Sequence, residues 1–194
     1  MEKVQFDDVI HYKDNFYGIT CEGEVASFDL ENPHLKMVAS RVSNEEEDED
    51  EEEEFCGKYY LVECCGQLLQ IKRYLANTCS DFIRLTSGFK VFKLSHNRGD
   101  KWVEMESLGH DVAIFLGDNS SVSVLAPNID GYKGNCLYFT EDKDTLDIGY
   151  LGPSDMGLYD FENKSFTRHF DMDATNFLNL QKRPLWILPT LHLC

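Results

Sequence analysis

The stretch Asn15-Phe16-Tyr17-Gly18-Ile19-Thr20, leading to Phe28-Asp29-Leu30-Glu31-Asn32, decides the fold of this chain because it returns. Asn135-Cys136-Leu137-Tyr138-Phe139-Thr140 leads in the same way to Tyr159-Asp160-Phe161-Glu162-Asn163. Between them, Val91-Phe92-Lys93-Leu94-Ser95-His96-Asn97 fills the second half of the phrase. Phe28, Phe92 and Tyr159 follow one another at intervals of roughly 65 residues, the period of a sheet-sized unit with its loops. A repeat of this kind reports architecture and no chemistry.

Working outward, strand signals dominate. Residues 9–12 and 15–20 are aromatic and β-branched around Lys13-Asp14, which is the pattern of a hairpin. Turns at Glu22-Gly23-Glu24 and Asn32-Pro33-His34 delimit strands at 25–30 and 35–39, completing a four-stranded meander. A second meander is expected from 59–64, 68–74, 90–94 and 102–105, with a loop through Ser80 and Gly88 and a turn over 96–100. A third uses 111–116, 121–125, 136–140, 157–161 and 165–170, one strand more than a meander needs. The proline-bounded run 184–191 reads as a further short strand. Helical periodicity is weak, at 81–85 and 173–180.

Acids outweigh bases, 35 against 18. Residues 45–54 form an unbroken acidic run, and without its ten charges the net charge of −17 falls to −7. Either value opposes nucleic-acid binding, which needs a basic face, and docking on anionic membranes. Like charges repel and offer nothing to bury, so 43–56 is expected to be a disordered acidic insertion within a single domain spanning 1–194. The start of the chain has no apolar core of a secretory signal, and no stretch approaches a membrane span. An intracellular protein, cytoplasmic or nuclear, is therefore expected.

Candidate chemistry is thin. The seven cysteines, Cys21, Cys56, Cys64, Cys65, Cys79, Cys136 and Cys194, are irregularly spaced and read as free thiols. Cys64-Cys65 could bind metal or act as a redox pair, but neighbours on a strand point to opposite faces, which favours a structural role. His11, His34, His96, His110, His169 and His192 show no ligand spacing. Asp142, Asp144 and Asp147 lack the glycine and closing glutamate of a calcium-binding helix-loop-helix. The chain contains no nucleophile elbow, P-loop or dinucleotide fingerprint. No catalytic, cofactor-binding or metal-binding residue is assigned, no cofactor is expected, and the protein is not expected to be an enzyme. The asparagines of Asn119-Ser120-Ser121 and Asn163-Lys164-Ser165 match the glycosylation pattern by chance in an intracellular setting. The aromatics Phe16, Tyr17, Phe28, Tyr59, Tyr60, Phe92, Trp102, Tyr138, Phe139, Tyr159 and Trp186 recur at strand positions, where core packing explains most and contact anchoring the rest.

Several stretches resemble the KIB-type β-propeller domain of plant F-box proteins. They are Asp8-Val9-Ile10 with Asn15-Phe16-Tyr17, Tyr59-Tyr60-Leu61-Val62-Glu63 and Gly88-Phe89-Lys90-Val91-Phe92-Lys93-Leu94. The stretch from Val25 to Leu30, the run 101–117, Gly134-Asn135-Cys136-Leu137-Tyr138-Phe139 and Pro184-Leu185-Trp186-Ile187-Leu188-Pro189 complete the set. The resemblance implies an all-β, Kelch-like partial propeller of about three four-stranded antiparallel blades. In that family an N-terminal F-box binds the adaptor of a cullin-based ubiquitin ligase and the propeller recruits the substrate. Some related members are implicated in targeting a brassinosteroid-pathway kinase. No Leu-Pro-rich helical F-box precedes Asp8, so the chain is expected to match the C-terminal portion of such a protein. The expected function is a protein-interaction module with a protein partner on blade-end loops. It is expected not to bind the ligase adaptor by itself, and, through uncovered sheet faces, to self-associate or to need a partner for solubility. The competing readings are a small-ligand or enzymatic Kelch-like propeller and a truncated product without independent function.

Overall fold

The computed structural model describes residues 4–31, 34–39, 55–77, 84–96, 100–117, 120–128, 131–140 and 155–168. They form thirteen strands and one short 3-10 turn over Ala126–Asn128, arranged in three sheets. The protein is all-β, as the alternation of its aromatic and β-branched residues demands. The chain divides into two compact units, Met1–Ser107 and Leu108–Cys194.

In the first unit, β1 (Asp8–Tyr12), β2 (Asn15–Ile19), β3 (Val25–Phe28) and β4 (Lys36–Ala39) make the first blade in sequential antiparallel order. Lys13 and Asp14 form the first turn, with Lys13 at φ 46°. The second blade runs β5 (Phe55–Cys64), β6 (Gln67–Asn77), β7 (Arg84–Ser95) and β8 (Lys101–Met105). The blades meet through one face of each. Tyr12, Ile19, Val25 and Ala39 of the first pack with Tyr59, Leu61, Leu68 and Leu94 of the second. Polar ties reinforce that seam. The Leu61 N–H donates to Asp8 Oδ2 at 2.9 Å, and the Tyr12 hydroxyl donates to the Gly66 carbonyl at 2.7 Å.

The second unit holds a five-stranded sheet of β9 (Val112–Leu116), β10 (Val122–Leu125), β11 (Cys136–Phe139), β12 (Gly157–Asp160) and β13 (Ser165–Arg168). Its order is β10-β9-β11-β12-β13, and β11 pairs with β9 in parallel. The extra strand therefore belongs to this sheet, as the outer partner of β9. Because β10 and β11 flank β9 on opposite sides, the two described ends of their connection, 126–128 and 131–135, both lie at the beginning of β9. Hydrogen bonds record the crossing: Ala126 N–H to the Asp111 carbonyl and Asn135 N–H to the Val112 carbonyl, both 2.7 Å.

Three expectations need correction. The loop placed before Lys90 is strand from Arg84 onward, and Ser87 is absorbed as a bulge between the Tyr74–Gly88 and Leu75–Thr86 pairs. The same strand replaces the weak helical signal at Arg84 and Leu85. Phe55 and Cys56, the last two positions of the expected acidic insertion, belong to β5, where they pair with Leu75 and Tyr74. Residues 43–54, 173–180 and 184–191 lie outside the described residues.

Candidate interaction surfaces

Two surfaces stand out, one in each unit. The first is the outer face of the first blade. Register places Val9, Gly18, Ala26 and Met37 in one row, and His11, Phe16 and Phe28 in the next. Phe6 lies over Gly18 and stacks on Phe28 with ring centroids 6.0 Å apart; Phe28 stacks on Phe16 at 5.6 Å, and His11 meets the Phe16 edge at 5.0 Å. Val9 is 47% exposed and Met37 54%. Of this row only Ala26 and Gly18, which lies beneath the Phe6 ring, are buried. The result is an aromatic band rimmed by exposed aliphatics on a sheet whose opposite face is the seam with the second blade.

The second surface is the crossing loop of the second unit. A tight fit lies at Gly134, where a Cβ would meet the His110 carbonyl oxygen. Asn135 then adopts φ 55° and serves as a hub: its side-chain oxygen accepts the Leu108 N–H at 2.9 Å, and its carbonyl accepts the Phe161 N–H at 3.1 Å. The loop thereby presents Tyr132, 38% exposed, standing edge-on to Phe115 at 5.0 Å and to Tyr138 at 5.3 Å. Phe115 and Tyr138 stack at 4.8 Å beneath it. The Lys133 N–H donates to the Tyr138 hydroxyl at 2.8 Å, and the Lys133 ammonium donates to Asp160 Oδ2 at 2.7 Å.

Asp160 is the most polarised group described. The Lys133 ammonium, then the Asn163 side chain and the N–H groups of Asn163 and Glu162, hold its carboxyl at about 2, below the usual carboxylate range. Lys133 is raised in turn by the same contact. This is a paired charge at a hairpin end, with its hydrogen-bonding capacity spent on structure. Burial pushes the Cys136 thiol up, which opposes a nucleophilic role. No three His, Cys, Asp or Glu side chains converge as a metal site requires among the described residues. No helix among them is long and apolar enough to cross a membrane.

The aromatics picked from sequence separate clearly. Tyr59, Tyr60, Phe92, Tyr138, Phe139 and Tyr159 are buried core residues. Phe16, Tyr17, Phe28 and Trp102 are half-buried, and Phe16 and Phe28 carry the band on the first blade. Trp186 lies outside the described residues, as do Asp142, Asp144, Asp147, His169 and His192. His11 stacks on Phe16, and His96 pairs with Asp100 at 2.6 Å. Tyr132 carries no strand signal because it sits between strands; the flanking Gly131, at φ 87°, and Gly134 are its visible mark in the sequence.

These blades fit the comparisons with known proteins. Residues 1–160 match the family described as KIB1-4 beta-propeller, and the chain belongs to that family of β-propeller domains. Among curated relatives, the "Probable F-box protein At1g65740" of Arabidopsis thaliana is 32% identical over 181 residues, 89% of this chain and 44% of that protein. The F-box protein SKIP23, from the same plant, is 26% identical over 81% of this chain and 40% of its own length. The F-box protein At4g35733, also from Arabidopsis thaliana, is 30% identical over 86% and 45% respectively. The chain thus spans under half the length of these relatives. No solved structure matches it.

Proposed function

We propose that this chain is the protein-binding part of an F-box substrate receptor, acting by contact and not by catalysis. The observation that carries the reading is the family match over 1–160, joined to relatives that are themselves named F-box proteins. The crossing loop supports it. An exposed aromatic ring held by two others, beside a fixed ammonium–carboxylate pair, is the composition of an interface anchor with a polar rim. On this reading the partner is an intracellular protein whose surface accepts the Tyr132 ring. Adaptor binding is not intrinsic to these residues and comes from an F-box supplied elsewhere.

Fusing the chain to an F-box and expressing it in plant cells tests the proposal. Proteins whose ubiquitylation rises should form a small set, and Tyr132→Ala should abolish that rise while leaving the melting temperature near that of the parent chain. Ubiquitylation that never depends on the chain would overturn the receptor reading. Ubiquitylation that persists in Tyr132→Ala would move the contact off the crossing loop.

A further inference from the structure

The turn between β5 and β6 joins two cysteines that sequence geometry separates. Cys64 is the last residue of β5 and pairs with Gln67, so Cys65 and Gly66 alone make the turn. Both turn residues are left-handed, Cys65 at φ 52° and Gly66 at φ 75°, the signature of a type I′ hairpin. Opposite-face geometry applies only to consecutive strand residues. Cys65 has left the strand, and its sulfur returns to within 4.0 Å of Cys64 Sγ. Both carry thiols and not a disulfide; Cys64 is buried and Cys65 exposed.

We propose that Cys64 and Cys65 form a reversible two-thiol redox site that oxidises to a vicinal disulfide by exchange with a small disulfide such as glutathione disulfide. The exposed Cys65 thiolate attacks one sulfur of the oxidant, forming a mixed disulfide and releasing one glutathione. Cys64 then gives up its proton and attacks Cys65 Sγ, expelling the second glutathione. Two protein thiols are oxidised, one glutathione disulfide is reduced to two thiols, and the protons balance.

Two features make the pair a switch and not a staple. Adjacent Cα atoms lie about 3.8 Å apart, short of the roughly 4.4 Å that begins the relaxed disulfide range. The closed ring is therefore strained, and strained, exposed disulfides are the readily reduced ones. The strain also has a receiver. The Gly66 carbonyl accepts the Tyr12 hydroxyl, and Tyr12 belongs to the cluster that joins the two blades. Reshaping the turn withdraws that acceptor and loosens β1 from its seam.

Equilibrating the whole chain with defined ratios of reduced and oxidised glutathione tests this, read by peptide mass and by hydrogen exchange. The expected result is a loss of two hydrogens on the peptide carrying Cys64 and Cys65, reversed by dithiothreitol. It should come with about tenfold faster exchange at the β1 amides. Cys65→Ser, at an exposed position, should show neither change; Cys64→Ser should stop at a glutathione adduct on Cys65. A lasting glutathione adduct on the parent chain, a bridge to Cys21, or β1 exchange that accelerates equally in Cys65→Ser would each overturn the proposal.

Discussion

The first blade and the five-stranded sheet of the second unit are built from similar aromatic phrases, yet they treat water differently. In the first blade β1 alternates, with Val9 and His11 exposed and Tyr12 buried. In the second unit β9, β11 and β12 are buried at every position. One-sided burial leaves a face available for contact, whereas two-sided burial fixes a frame on which a loop such as 131–135 can be held. The sequences already carry the distinction: Asp8-Val9-Ile10-His11-Tyr12 mixes polar and apolar residues, while Val112-Ala113-Ile114-Phe115-Leu116 contains no polar side chain.

Glycine substitutions break the comparison hardest. Gly134→Ala sets a Cβ against the backbone oxygen of His110, which cannot swing aside, and should cost about 4 kcal/mol or more by denaturant unfolding. Gly18→Ala is crowded too, by the Phe6 ring at 2.6 Å, but that ring lies on the half-exposed outer face and can rotate away, so about 1 kcal/mol is expected. Equal losses would show that the two sheets are equally packed. Among core rings, Phe115→Ala, fully buried, should lose about 3–5 kcal/mol. Phe16→Ala, half-buried, should lose about 1–2 kcal/mol by the same measurement.

Asp160 sharpens the contrast through pH. Its folded value of about 2 lies below the ordinary 3.8, so the folded state favours the ionised form. The stabilisation is complete above pH 4 and is lost as pH falls through the window between those values. Asp160→Asn should flatten the melting temperature across that window and cost about 1.5–3 kcal/mol at neutral pH, the worth of a hydrogen bond to a charged group. A parent-like slope in the variant would assign the acid sensitivity elsewhere.

Smaller effects concern the open face. The isolated chain should self-associate through the aromatic band, and Phe16→Asp with Met37→Lys should shift light scattering towards monomer with little change in fold. A monomeric parent chain would mean that the band is covered. Deleting 45–54 should alter the melting temperature by a few degrees at most, because ten adjacent like charges repel and offer nothing apolar to bury, and loop length itself costs little.

Sequence reading reached most of the strands because aromatic and β-branched residues alternate with clear turns, as at Lys13-Asp14 and Glu22-Gly23-Glu24. It fell short where neighbours in space override local signals. Thr86-Ser87-Gly88 reads as a loop, yet pairing with Tyr74 and Leu75 draws it into β7 around a bulge. The parallel partnership of β9 and β11 leaves no local trace, since each strand alone looks like half of a hairpin. Cys64 and Cys65 read as neighbouring strand residues, and only the left-handed turn brings their sulfurs together. The crossing loop was least legible, because its order comes from Asn135 hydrogen bonds spread over Leu108, Val112 and Phe161.

The placing of both described ends of the β10–β11 connection at the start of β9 also sets an order of events in time. The β9–β10 hairpin is local and can close within about 1–10 μs, whereas β11 reaches β9 only after the intervening chain has been laid across the strand's end. The seating of Gly134 against His110 is then expected on the late, downhill side of the folding barrier. A substitution there should leave the refolding rate almost untouched and appear nearly whole as faster unfolding, so that a crowded glycine governs how long the sheet lasts and not how quickly it forms.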